Sequence, residues 1–317
     1  MIPSGALVSR YAAVVCDLDG VVYRGPAAVP HAVEVLGALV APVVYATNNA
    51  SRSPADVAAH LRDLGLDCTP DAVATSSQAG AWLLSDRLAE GAPVLAVGGA
   101  GVATALREAG LRPVLPGDAA HERVDAVLQG YGPGVTASDL AEAAYAVEGG
   151  ATWVATNTDG TLPTDRGVAP GNGSLVAAVE RAAGHPPHQV AGKPAPPLYL
   201  LCAQRLDLPV HRVLAVGDRL DTDIEGAVAA GMDSLLVLTG VDDLRACLDA
   251  PPHRRPTWVA PDLRALLTDP DDGARGLMAV ADAVRAVHAA HDAGTPENEV
   301  NALVARAESV VGTTAAR

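Results

Sequence analysis

The sequence predicts an α/β fold built around a parallel sheet, and three observations lead there. Short apolar runs that end in Gly, Asp or Asn alternate with Ala-rich amphipathic stretches, the pattern of strand-helix units. Four runs, at residues 12–16, 42–46, 213–216 and 235–238, are nearly continuous in apolar residues, as expected of strands covered by helices on both faces. Between strands stand helix signals. Ser53-Pro54 supplies an N-cap and a proline at the first helical position ahead of a run to Leu64, and Gly65 fits the stop. The four strands are expected to share one sheet.

The middle of the chain repeats this grammar. Strands are expected at residues 94–97, 124–128 and 152–155, with helical stretches at 101–109 and 138–147. This second α/β unit is assigned to residues 83–184, inserted into a first domain made of residues 1–82 and 185–268. A short helix near residues 263–267 and a polar break at 268–273 follow. Leu277, Val280, Val284 and Val287 then form one apolar stripe; Val300, Leu303, Val304, Ala307 and Val311 form another. Thr295-Pro296 starts the second helix and Gly312 is expected to end it. Residues 269–317 therefore read as an appended helical hairpin, packed either on its own core or against a second copy in a homodimer.

Bulk composition excludes several function classes. The 317 residues are 49% hydrophobic and 19% charged, which suits a folded globular chain. Phe is absent, so Ala, Val and Leu must build the core. A formal net charge of -15, with only 22 Lys and Arg, disfavours nucleic acid and anionic membranes as partners. Cys16, Cys68, Cys202 and Cys247 lack the paired spacing of zinc or redox motifs and read as reduced, buried thiols. The N-terminal segment lacks a positive n-region, and Asp17 interrupts its apolar run. No stretch approaches the roughly 18 apolar residues of a membrane span. A cytoplasmic location is expected.

Four segments carry chemistry. Asp17-Leu18-Asp19-Gly20 directly follows a strand, where ligands of open α/β sheets bind. Carboxylates at i and i+2 leave a strand on the same side, so Asp17 and Asp19 can face one bound group. By itself such a turn is also a common plain turn. Thr47-Asn48-Asn49 again follows a strand and offers a hydroxyl and two carboxamides to a phosphate, or caps the next helix. Gly192-Lys193-Pro194 offers a cation, with Pro194 expected in the first turn of a helix through Leu206. A third strand end delivers Gly217-Asp218-Arg219-Leu220-Asp221-Thr222-Asp223, whose clustered carboxylates repel one another unless a cation joins them. Mg²⁺ suits such a site, because it takes oxygen ligands and needs neither His nor Cys.

Taken together, CDLDGVVYRG, YATNNASRSP, AGKPAPPLY and VGDRLDTDIEGAVAAGM resemble, in order and spacing, the haloacid dehalogenase (HAD) superfamily and its NagD-like phosphatases. The resemblance spans Cys16 to Met232. It implies a Rossmann-like core, a magnesium cofactor and an aspartyl-phosphate intermediate. By this resemblance Asp17 is the nucleophile, and Asp19 is general acid and then general base, which requires a raised pKa. Asp17, the backbone carbonyl of Asp19, and Asp218 would bind the metal, with Asp223 orienting waters or Lys193 behind them. Thr47, Asn48 and Lys193 would hold the phosphoryl oxygens, with Asn49 beside them. An acid at the position of Asp19 favours a phosphatase or phosphomutase over a dehalogenase.

Only 28 positions separate Asp19 from Thr47, whereas 146 separate Thr47 from Lys193, so the family's cap falls after the second motif. A cap of that size favours small substrates. Thr156-Asn157-Thr158-Asp159-Gly160 resembles the family's cap loop near the site, which makes Asn157 and Asp159 candidate substrate-binding residues; Arg166 reads equally well as a polar turn residue. The family often has an acid where this chain has Gly132, which counts against the nucleotide or pyridoxal-phosphate preference of some relatives. The glycine run Gly98-Gly99-Ala100-Gly101 resembles a dinucleotide fingerprint, but Thr104 breaks it, and a helix-opening turn suffices. Hydrolysis of a small phosphomonoester is therefore expected: glycerol 3-phosphate first, then 2-phosphoglycolate or another sugar or nucleotide phosphate. A non-catalytic phosphate-ester sensor is the reading of a different class.

Overall fold

The computed structural model describes residues 5–119, 122–164, 166–273 and 276–315. The chain divides into two compact units: Met1–Tyr45 with Leu61–Cys68 and Cys202–Arg317, and Ala46–His60 with Thr69–Leu201.

The first unit is organised on parallel strands in the order Trp258–Ala260, Asp233–Val237, Val213–Gly217, Ala13–Cys16 and Val43–Thr47. Ala13–Cys16 and Val213–Gly217 are buried at every residue, which is why their sequences run apolar without alternation. All four expected strands lie in this sheet. The fourth starts at Asp233 and stops at Val237, because its register sets Asp233 opposite Leu214. Two short strands, Val73–Thr75 and Trp258–Ala260, gave no clear periodic signal at three residues each.

The second unit has a parallel sheet of its own, ordered Gln189–Val190, Thr152–Ala155, Ala126–Gln129, Pro93–Val97 and Arg112–Val114. With Phe absent, Trp153 and Tyr199 are the bulkiest fully buried side chains. Thr136 and Asp139 form a capping box at the start of the helix Ala137–Glu148. The helix Pro54–Asp63 starts on its proline; Ser53 Oγ accepts from Asp56 N at 3.2 Å, and Gly65 takes a φ of +100° just beyond the end.

Two local expectations need correction. Pro194 lies outside the helix, which is Pro197–Arg205 and opens on Pro197; of three nearby prolines it is the third that takes the first helical position. The final helix, Glu297–Ala315, runs through Gly312 rather than ending there, since a glycine weakens a helix without breaking it.

The hairpin packs on its own unit. Val280, Val284 and Val287 from the helix Leu277–Asp292, with Val300, Val304, Ala307 and Val311 from its partner helix, share one apolar cluster with Leu220, Ile224, Leu236, Cys247, Leu248 and Val259. His288 of the helix Leu277–Asp292 is also buried, and its Nε2 donates to the Cys247 carbonyl at 2.8 Å. Burial pushes its pKa below the usual histidine value, outweighing the opposing effect of that hydrogen bond. The unfolded chain therefore binds the proton more readily, so the stability from burying neutral His288 is complete above about pH 6.5 and is lost as pH falls. Denaturant unfolding between pH 7 and pH 5 should show this loss, and His288→Gln should flatten it. Val287→Ala should cost about 1–3 kcal/mol at neutral pH in the same experiment.

Candidate active site

In the first unit the site grows from the ends of adjacent strands. Ala13–Cys16 delivers Asp17, Leu18 and Asp19 in extended alternation: Leu18 is buried, Asp17 half-buried and Asp19 exposed. The turn then closes on Leu18, whose carbonyl accepts from Val22 N at 2.8 Å and Tyr23 N at 3.1 Å. Gly20 has φ +86°, and a Cβ there would lie 2.6 Å from Asp218 Cγ, so both backbone and space demand glycine.

Val213–Gly217 delivers Asp218, and a π-helical turn, Leu220–Ile224, brings Asp223 back beneath it. Both acids are buried, Asp218 at 1% and Asp223 at 2% exposure. Asp223 Oδ2 accepts from the backbone N of Asp218 at 3.3 Å and of Arg219 at 3.1 Å. Asp218 Oδ2 accepts from Val241 N at 2.8 Å. A Cβ on Gly217 would overlap Asp223, and one on Gly240 would overlap the Asp218 carboxylate. Three glycines thus leave room for two acids.

Asp17, Asp218 and Asp223 each offer a carboxylate oxygen, and these oxygens lie within 4.8 Å of one another. An all-carboxylate donor set around a small volume fits a hard divalent cation, so these residues suit magnesium. Asp221 is engaged elsewhere: its carboxylate accepts from Arg219 Nε at 3.0 Å and Nη2 at 2.9 Å. Burial alone would raise its pKa, but the guanidinium prevails and holds it below the usual carboxylate range.

The second unit gathers the other predicted residues. Thr47 ends the strand Val43–Thr47 and is 4% exposed; its Oγ1 accepts from Asn49 N at 3.1 Å, which leaves the hydroxyl proton to donate. Asn49 Oδ1 accepts from Ser51 N at 2.9 Å and Ser51 Oγ at 2.8 Å, so its carboxamide shapes the turn before the helix. Asn48 clasps the backbone of Lys193 from both sides: Lys193 N donates to Asn48 Oδ1 at 2.8 Å, and Asn48 Nδ2 donates to Lys193 O at 2.9 Å. Asn48 Nδ2 also reaches both Asp159 carboxylate oxygens at 3.3 Å. Lys193 is 3% exposed, and its Nζ donates to Ala46 O at 3.3 Å. Asn157 is engaged at both ends, its Nδ2 donating to Asn48 O at 2.7 Å and its Oδ1 accepting from Asp159 N at 3.2 Å.

Sequence reasoning passed over Val241, whose contribution is a backbone N–H; the signal was Thr239-Gly240 directly after an apolar strand. It also passed over Ser76, buried, whose Oγ donates to Asn48 O at 2.7 Å. The glycine run at 98–101 is explained by packing. A Cβ at Gly99 would lie 2.8 Å from Ser51 Cα, and one at Gly101 would lie 2.6 Å from Ala50 O. Gly132 has no room for the acid expected there in some relatives, since its Cβ would lie 2.5 Å from Gly99 N.

An acidic cluster at the ends of parallel strands, with a donor set that suits a hard divalent cation, is the kind of site a metal-assisted hydrolase carries. The chain belongs to the haloacid dehalogenase-like hydrolase family, in its NagD-like branch. The family model of that description matches residues 14–112, and a related HAD-hydrolase-like model matches residues 190–266. D-glycerol 3-phosphate phosphatase of Mycobacterium tuberculosis is 48% identical over 83% of this chain and 73% of its own length. The crystal structure of that organism's glycerol phosphate phosphatase in complex with magnesium superposes with a TM-score of 0.80 at 48% identity, covering 84% of this chain and 79% of that one. NagD from Escherichia coli K-12 gives a TM-score of 0.71 at 32% identity, over 80% of this chain and 97% of that one. Acid sugar phosphatase of Staphylococcus aureus is 38% identical over 75% of this chain and 90% of its own.

The glycine cradle yields a measurement. Gly20→Ala should weaken Mg²⁺ binding by ~10- to 100-fold in calorimetric titration, because it displaces the Asp218 carboxylate. Asp221→Asn should leave the affinity within about twofold, since it removes a half-exposed ion pair away from the cluster.

Proposed function

We propose that this chain hydrolyses a small phosphomonoester, with glycerol 3-phosphate as the preferred substrate and 2-phosphoglycolate next. It is a HAD-like hydrolase acting on phosphoric monoesters, and magnesium is its cofactor. The observation that carries the reading is the convergence of the Asp17, Asp218 and Asp223 carboxylates within 4.8 Å. The choice of substrate is supported by 48% identity to a D-glycerol 3-phosphate phosphatase.

In this reading Asp17 attacks phosphorus through a carboxylate oxygen, the bond from phosphorus to the ester oxygen breaks, and an aspartyl phosphate forms. Asp19 gives its proton to the departing alkoxide, releasing the alcohol. The same carboxylate then takes a proton from water as that water attacks phosphorus. The acyl-phosphate bond breaks, inorganic phosphate leaves and Asp17 is regenerated. The exposure of Asp19, with Leu18 buried between the two acids, supports this division of labour. Bound magnesium supplies positive charge against the carboxylates and the phosphoryl group. Asp17, the carbonyl of Asp19, and Asp218 would hold it, with Asp223 as the supporting acid. Thr47, Asn48 and Lys193 are assigned to the phosphoryl oxygens, and Asn49, Asn157 and Asp159 to the substrate loops. The same reading treats residues 1–82 and 185–268 as catalytic core, 83–184 as cap and 269–317 as extension.

Phosphate release from a panel of small phosphomonoesters, with Mg²⁺ or EDTA, tests this. Release should require Mg²⁺, kcat/KM should be highest for glycerol 3-phosphate, and Asp17→Asn should lower kcat by ~10³-fold or more. If no ester is hydrolysed while phosphate esters still bind, the chain is a sensor and the catalytic reading falls.

A further inference from the structure

We propose that Asn172 is a positioning residue for the phosphate-binding turn, acting through Asn157 and Asn48 on Lys193. Asn172 opens the helix Asn172–Ala183 and is 1% exposed. Its Nδ2 donates to Asn157 O at 2.7 Å and to Gln129 O at 3.4 Å. Asn157 Nδ2 in turn donates to Asn48 O at 2.7 Å, and Asn48 grips the Lys193 backbone at 2.8 and 2.9 Å. One line of hydrogen bonds therefore runs within the second unit from a helix start, through two loops that follow strands, to the backbone of the buried lysine.

Three further observations support the assignment. Gly171 and Gly173 flank Asn172, and a Cβ on either would overlap the Asp159 or Thr158 carbonyl, so this helix start is pressed against the loop bearing Asn157. Gly171 N donates to Gly160 O at 3.0 Å and Gly173 N to Asp159 O at 2.8 Å, which clamps that loop to the helix. Asn172 Oδ1 has no hydrogen-bond partner among the described residues. Burying a carboxamide with an unpaired acceptor destabilises the fold, and an apolar residue would avoid that cost. What the apolar residue could not do is donate to Asn157 O. The donor is thus the part of Asn172 that the fold uses.

The inference rests on the phosphatase reading and fails separately from it. An inert wild type defeats the function, whereas an active wild type allows Asn172 to be judged alone. The experiment is a double-mutant cycle on the full chain, Asn172→Ala, Asn157→Ala and both together, read as kcat and KM beside thermal unfolding. Asn172→Ala should lower kcat by ~10- to 100-fold at a temperature where it is fully folded, with KM changed much less. The double variant should lose no more than the worse single variant, because both act on one line. Mg²⁺ affinity should match wild type. A kcat within twofold of wild type, or losses that multiply in the double variant, would overturn the proposal. If Asn172→Ala does not fold, Asn172→Ser takes its place in the cycle under the same criteria.

Discussion

Carboxylate crowding is the constraint around which the first unit is arranged. Oxygens of Asp17, Asp218 and Asp223 lie within 4.8 Å of one another, close enough for ionised carboxylates to repel. The fold tolerates this by fixing Asp218 and Asp223 with backbone donors and by placing glycines where a side chain would compete for the space. Asp223 is held by two amides, Asp218 by the amide of Val241, and Gly20, Gly217 and Gly240 vacate the volume around them. A divalent cation relieves the remaining repulsion, so metal binding and local stability are linked.

The second unit solves the complementary problem with neutral groups. Asn48, Asn157, Asn172 and Ser76 hold loop backbones by side chain, leaving the Lys193 charge on a tethered main chain. Carboxamides suit this task because each carries donors and an acceptor and adds no charge. Asp159 is the exception: its carboxylate faces the Asn48 amide. The hairpin belongs to another layer of the design, since its stripes close the apolar cluster that includes Leu220 and Ile224, the two ends of the turn bearing Asp223.

Much of this was legible in the sequence where chemistry coincides with regular local geometry. The i, i+2 spacing of Asp17 and Asp19 and the acids after Gly217 announced themselves because strand ends are recognisable from apolar runs. Val241 was legible only through its neighbours Thr239-Gly240 after a strand, because an N–H belongs to every residue alike except proline. Ser76 was hidden because the strand before it, Val73–Thr75, is three residues long. Apolar periodicity foretold the two hairpin helices but not the surface they cover, because a stripe specifies that it is buried and not by what. Pro194 misled for a related reason: helix-start signals rank neighbouring prolines equally, and packing chose Pro197.

The glycines at 98–101 and 132 also bear on how this scaffold could be diversified. At Gly98, Gly99, Gly101 and Gly132 a Cβ would lie 2.5 to 2.8 Å from a backbone atom, which cannot yield by rotating. These four glycines are closed to substitution unless the main chain moves first. The antiparallel ribbon of Thr161–Thr164 and Gly167–Pro170 is the opposite case, with Val168 76% exposed. Variation in the second unit has an open route along that ribbon and a barred one through the glycines, which gives the domain an uneven evolvability.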